Sequence, residues 1–395
     1  MKKIEYSAIK GNSLGYYGLL GGLGLLMLIG LLAVWHMEHQ GHWVTGMNNQ
    51  IVWGMPHVFA VFLIVAASGA LNVASVASVF RKEEYEPLAR LSGLLAIALL
   101  AGGLVVLLLD LGRPDRLIVA MTYYNFKSIF AWNIILSTGF FAIVGIYIWF
   151  MMDHNMYKFK KTAGMAAFVW RLILTTGTGS IFGFLVARSA YDAALLAPMF
   201  IVMSFAFGLA IFILVLMASY HWSGRELGDE IVARLRNLLG VFIAAVLYFV
   251  AVYHLTNLYI TEHHGFEKFI LMEGGSYTKI FWIGQVILGG LIPLALVYAP
   301  GVKNCRKTLS LICALVILGG LATMYTVIIA GQAYPLQIFP GYEVTSSFFD
   351  GVVNDYTPSI YEIALGVGGV AVSLLIVAFV IKVLPFLPKS LADSK

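Results

Sequence analysis

Residues 89–116 read ARLSGLLAIALLAGGLVVLLLDLGRPDR. No charged side chain occurs between Leu91 and Leu109, close to the roughly 20 apolar residues a helix needs to cross a bilayer. Asp110, Arg113, Asp115 and Arg116 then fall within seven positions. Gly112 and Pro114 stop the helix there. An apolar run of this length closed by a polar stop is the unit of a helical membrane protein. Ten such runs occur, at 15–37, 52–80, 89–110, 128–152, 165–188, 197–220, 237–260, 278–299, 308–331 and 360–384. The expected fold is an all-α integral membrane protein with about ten transmembrane helices in one polytopic domain over residues 1–395. The connections are too short to hold a separate soluble domain.

Composition agrees. Hydrophobic residues are 60% of the chain and charged residues 11%, against about 25% charged in a soluble domain. The net charge of +5 comes from small groups of Lys and Arg between apolar runs, which is not a nucleic-acid pattern. Positive residues favour the cytoplasmic side of short loops. With the N-terminus inside, 19 of the 25 Lys and Arg residues fall inside, including Arg171. Arg113, Arg116, Lys127, Arg188, Lys268 and Lys279 fall outside. Both termini are therefore expected to be cytoplasmic, in an inner (cytoplasmic) membrane. The first run follows Lys2, Lys3 and Lys10 but is long enough to span, so it reads as a retained helix rather than a signal peptide.

A faint repeat is present. The runs starting near Arg90 and Arg236 each end in polar residues about twenty positions on. Each is followed by a loop and a similar string, SIFAWNIIL at 128–136 and KIFWIGQVIL at 279–288. Two parallel four-helix bundles, 52–188 and 197–331, are expected, with the helices at 15–37 and 360–384 outside them.

Acid–base chemistry collects on the outer side. His36, His39, His42, His57, His254, His263 and His264 fall there with Glu38, Glu262 and Glu267. Histidine and carboxylate together serve proton transfer near neutral pH, although His42, His263 and His264 also suit ordinary wet loops. His36, His39 and His42 are spaced i, i+3, i+6, which turns the third away from the first, so no metal site is expected. His57 and His254 are candidate haem ligands, or polar residues paired across helices. Arg188, closing the fifth run, needs a carboxylate such as Asp110 or Asp192, or snorkels to head groups. Tyr123, Tyr124, Asn125, Lys127, Trp132 and Asn133 surround the start of the fourth run. An aromatic belt accounts for Tyr123 and Trp132, but Asn125 and Asn133 add hydrogen-bonding groups suited to a flat apolar ligand with polar ends. The acidic, aromatic loop at about 332–359 suits protein docking or packing over its own helix ends. Cys305 and Cys313 are too few for an iron–sulfur cluster.

At DLGRPDR followed by YYNFKSIFAWN the chain resembles the NrfD/PsrC family of membrane-integral, quinone-reactive respiratory subunits. It is most similar to the ten-span subgroup found in the sulfite-reductase-associated complex (the DsrP type). The resemblance implies a subunit that oxidises quinol, or reduces quinone (menaquinone foremost), in sulfur metabolism. It implies no haem or iron–sulfur cluster in the chain itself. The implied partners are a ferredoxin-like iron–sulfur subunit on the outer face, a multihaem cytochrome c and further membrane or cytoplasmic subunits. It places the quinone near the outer face, against a first-helix histidine (His36 or His39) and a tyrosine (Tyr123 or Tyr124), with Asn125, Lys127 and Asn133 as further contacts. Proton transfer falls to His36, His39, Asp110, Arg113 and Arg188. No acid marks the end of the seventh run, where His254 stands instead. A haem b cytochrome, a transporter built from parallel repeats and a structural anchor are the competing readings.

Overall fold

The computed structural model describes residues 4–80, 82–300, 305–336 and 351–393. Among them each apolar run is helical, because backbone groups in lipid must bond to one another. Ten helices are long and apolar enough to cross a membrane. They are α1 (Leu14–Gln40), α2 (Met55–Ser78), α3 (Glu83–Leu109), α4 (Ile129–Met152), α5 (Tyr157–Gly183), α6 (Leu196–Ser223), α7 (Asp229–Tyr259), α8 (Ser276–Tyr298), α9 (Arg306–Ala333) and α10 (Ile360–Val383). The expected bounds depart most at α5, expected at 165–188 and found at Tyr157–Gly183, which leaves Arg188 in the following loop, and at the start of α7. Gly224, with φ +64°, ends α6 in a left-handed cap, and Asp229 and Glu230 open α7 only a few residues later. The polar stretch 221–230 is thus a tight turn, and Arg234 and Arg236 ride on the helix.

α2 and α6 lie against each other at the centre. Their backbones touch: a Cβ on Gly69 would fall 1.6 Å from the Ser204 carbonyl oxygen, and one on Gly208 would fall 2.1 Å from Ala70 N. Around α2, the helices α3, α4 and α5 close one ring; around α6, the helices α7, α8 and α9 close a second. α10 packs on α2 and α3, and α1 packs on α10, where Gly30 meets Gly368 backbone to backbone.

The two chain ends come together. Tyr6–Ser7 pairs antiparallel with Leu387–Pro388, and the Arg225 guanidinium donates to the carbonyls of Ser7, Ala8, Leu387 and Pro388. This is the terminal end of the bundle. The other end, where α1 stops and α2 and α10 start, is the histidine end. In the loop at 332–359, Phe339, Tyr342, Glu343, Phe348, Phe349 and Asp350 lie outside the described residues. Tyr334 packs on Phe266 and Phe269, and Tyr356 packs on Tyr325, so those two rings cover the chain's own helix ends.

Candidate functional site

Two local signals bring His57 and Asp110 together. Gly54 caps α2 and Pro56 occupies its first turn, a position where the missing N–H costs nothing. His57 therefore sits in the first turn of α2. Gly112, at φ +70°, turns the chain after Asp110 caps α3. His57 Nδ1 lies 2.8 Å from Asp110 Oδ2; the carboxylate is 0% exposed and the imidazole 17%. The approach is off the hydrogen-bond direction, so among the described residues His57 Nδ1 and both Asp110 oxygens have no hydrogen-bond partner. A buried carboxylate without donors is costly.

The surroundings are aromatic. Trp53 stacks on His57 at 6.1 Å and 24°. Phe130 of α4 and Phe182 of α5 each lie 5.9 Å from Trp53. His42 faces the turn after Asp110: a Cβ on Gly112 would sit 3.4 Å from its Nε2. That nitrogen is 3.8 Å from Glu38 Oε1 and has no hydrogen bond among the described residues. His42, readable in the sequence as a wet-loop residue, thus belongs to the same turn.

The loop that carries Trp53 is held by amides. Gln332 Oε1 accepts from Val52 N and Trp53 N, both at 3.0 Å, and its Nε2 donates to the Trp53 and Ile328 carbonyls. Gln50 Nε2 donates to the carbonyls of Gln332, Ala333 and Val352. Arg188 completes the clamp by donating to the Gln332 and Gln50 carbonyls, each at 2.9 Å. The expected carboxylate partner of Arg188 is therefore replaced by two backbone carbonyls, with burial pulling the guanidinium below its usual value. Gln50 and Gln332 carried no sequence signal, because an amide in an apolar chain looks the same whether or not it spans two loops.

The other expected site residues are spread out. His36 stacks on Tyr361 of α10 at 4.3 Å. His39 is exposed and donates from Nδ1 to the Trp35 carbonyl of its own helix. Tyr123 is 82% exposed, and Tyr124 packs on Phe126. Asn125 accepts from the Lys127 backbone N–H in a local turn, with Lys127 exposed. Asn133 ties α4 to α5, donating to the Gly177 carbonyl and accepting from Thr178. Arg113 turns outward to Asp115 at 3.0 Å; their bond raises the guanidinium and lowers the carboxyl relative to their usual values. The structure gives Asp110 a histidine partner in place of an arginine.

A second carboxylate–imidazole pair occurs in the other ring. Glu267, on the short helix after α7, is 0% exposed. It accepts from His254 Nδ1 at 2.7 Å and from Asn257 Nδ2 at 2.9 Å. The acid that the end of the seventh run lacks in sequence is thus returned to it by the fold. His57 and His254 each face a carboxylate of their own ring rather than each other. His263, also readable as a wet-loop residue, is buried and donates to the Ser189 carbonyl. Arg171, counted among inner-side charges from the sequence, lies mid-helix in α5 and is fully buried. It donates to Asn72 Oδ1 at 2.8 Å and lies over the rings of Phe168 and Phe205.

Fold and site together define a multi-pass integral membrane protein with a buried carboxylate–imidazole pair at one end of a four-helix ring. The chain belongs to the NrfD family: residues 43–335 match the family described as Polysulphide reductase, NrfD. It is 28% identical to the Hdr-like menaquinol oxidoreductase integral membrane subunit of Archaeoglobus fulgidus, covering 99% of this protein and 98% of that one. It is 22% identical to the C subunit of the selenate reductase of Mesobacillus selenatarsenatis, over 93% of both proteins. It is 24% identical to the C polypeptide of the polysulfide reductase of Wolinella succinogenes, over 72% of this protein and 96% of that one.

Proposed function

We propose that this chain is the quinone-reactive membrane subunit of a redox complex, and that His57 and Asp110 bind a quinol hydroxyl and take its proton. The observation that carries this reading is the buried Asp110 carboxylate, without donors among the described residues, beside an imidazole under an aromatic wall. The family match begins at residue 43, after α1. The first helix of the matched region is therefore α2, and the first-helix histidine of the resemblance becomes His57 rather than His36 or His39. The name of the Archaeoglobus relative, a menaquinol oxidoreductase subunit, favours menaquinol.

Oxidation of a quinol releases two protons and two electrons. Asp110 and His57 hold one hydroxyl and accept its proton; His42, on the adjoining turn, is placed to take the second. Trp53 and Phe130 offer faces to the flat ring. The electrons leave to an iron–sulfur partner docked over the histidine end. With the terminal end cytoplasmic, as the positive residues favour, those protons leave on the outer side. The same groups serve quinone reduction in reverse, and a role in sulfur metabolism follows the polysulfide reductase relative.

The test is menaquinol-analogue oxidation by the purified complex carrying His57→Gln, set beside His39→Gln. Loss of turnover by about 100-fold or more in the first, with little change in the second, supports the assignment. Normal turnover in His57→Gln would return the site to α1.

A further inference from the structure

α1 and α10 lie outside the family-matched region, and between them and α2, α6 and α9 is a cavity of about 1350 Å³. That exceeds the roughly 300–1,000 Å³ of a pocket for a compact ligand. It is elongated along the helices: on α10 its lining runs from Val367 to Ile381, about 21 Å at 1.5 Å per residue. One leaflet of hydrocarbon is about 15 Å deep, half the thickness of a bilayer core. The deep part is lined by aliphatic and phenyl groups such as Leu23, Phe62 and Leu374.

Its mouth is different in kind. At the terminal end Lys10, Arg225 and Lys389 line it, and no Asp or Glu does among the described residues. Arg225 bonds there to neutral acceptors: the four carbonyls named above and the Ser7 hydroxyl. Lys10 is exposed, and Lys389 reaches Glu5 at 2.7 Å. Ser13 and Ser223 add hydroxyls. Net positive charge at the water boundary, above a long apolar chamber, matches an anionic head group on two chains. A quinone ring is neutral and does not call for three clustered cations, whereas a phosphate does.

We infer that this cavity holds one anionic two-chain phospholipid, its phosphate at Lys10, Arg225 and Lys389 and its acyl chains between α1, α10 and the two rings. The lipid fills the seam between the matched eight-helix region and the two outer helices. Peripheral α1, which packs mainly on α10, is thereby sealed to the rest. Its charged mouth lies at the end opposite His57 and Asp110, although the apolar lining reaches Phe59, two residues from His57; the cations of the mouth carry the proposal, so it stands or falls apart from the quinol reading.

The test uses delipidated full-length protein, with dioleoyl phosphatidylglycerol or dioleoyl phosphatidylcholine added, read by native mass spectrometry. The unsubstituted protein should retain one phosphatidylglycerol at least tenfold more readily than phosphatidylcholine. Gly15 lines the cavity beside Ser13 and Tyr16, and a Cβ there meets nothing within 4 Å, so Gly15→Trp puts an indole into the mouth without a backbone clash and should abolish retention. The exposed pair Lys10→Glu and Lys389→Glu should erase the head-group preference in a protein that still folds. Equal retention of the two lipids by the unsubstituted protein, or full retention in Gly15→Trp, overturns the proposal. So does recovery of a quinone, rather than a phospholipid, that Gly15→Trp displaces.

Discussion

Asp110→Asn isolates the chemistry proposed for the site. The amide keeps the shape of the carboxylate but cannot take a proton. A positioned acid–base group contributes about 10²- to 10⁴-fold to a rate, or roughly 3 to 5.5 kcal/mol of barrier. The geometry argues for the upper half of that range. Asp110 is 0% exposed, His57 stands 2.8 Å from it, and neither oxygen has a hydrogen-bond donor among the described residues. Because the pair acts as a unit, Asp110→Asn combined with His57→Gln should be little worse than the more severe single variant. Stability gives the control. Replacing a buried anion by an amide removes a desolvation cost, so the melting temperature should hold or rise. The assay is steady-state oxidation of a menaquinol analogue by the intact complex, with subunit content checked. A loss of about threefold or less, or two single effects that simply multiply, would refute the reasoning.

Three further outcomes follow from the packing. Gln332→Leu strands the N–H groups of Val52 and Trp53, at about 1–3 kcal/mol each; it should lower the melting temperature and raise KM for quinol as Trp53 loses its hold. Gly69→Ala puts a methyl on the Ser204 carbonyl, so α2 and α6 must separate; overpacking costs of about 1–3 kcal/mol or more should appear as poor recovery of folded protein by size exclusion. Bonding from Thr308, with Lys307 nearby, lowers the exposed Cys305 thiol, so maleimide should label it with a midpoint below the usual thiol pKa. Buried Cys313 should stay unlabelled until denaturation, and an impermeant maleimide should reach Cys305 only from the cytoplasmic side.

The first ring shows how far local pattern carries. α3 is legible in residues 89–110 because its apolar length and its Gly112–Pro114 stop are both local. Asp110 stands out for the same reason, as the first charge after nineteen uncharged positions. Its partner does not. His57 lies more than fifty residues earlier, and what marks it is the cap at Gly54 and Pro56, which aims one turn of α2 at the end of α3. Tyr123, Asn125 and Lys127 cluster in sequence; in the fold Asn125 bonds within its own turn, and Tyr123 and Lys127 are exposed. Glu267 shows the converse. It follows α7 by eight residues, reads as a loop acid, and is folded back under His254.

Amino-acid order alone determined the all-helical membrane class, the number and approximate bounds of the apolar helices, and the end of the bundle at which seven of the nine histidines lie. Each rests on hydropathy, helix stops or charge bias, which act over one segment. Tertiary structure decided which groups meet: His57 with Asp110, Glu267 with His254, Arg188 with two carbonyls, and Arg171 of α5 with Asn72 of α2. It also decided that α1 and α10 leave a charged-mouthed chamber beside the rings. These depend on how helices rotate and cross. In an apolar chain nearly every face of a helix is equally oily, so the pattern along one segment does not say which side turns inward.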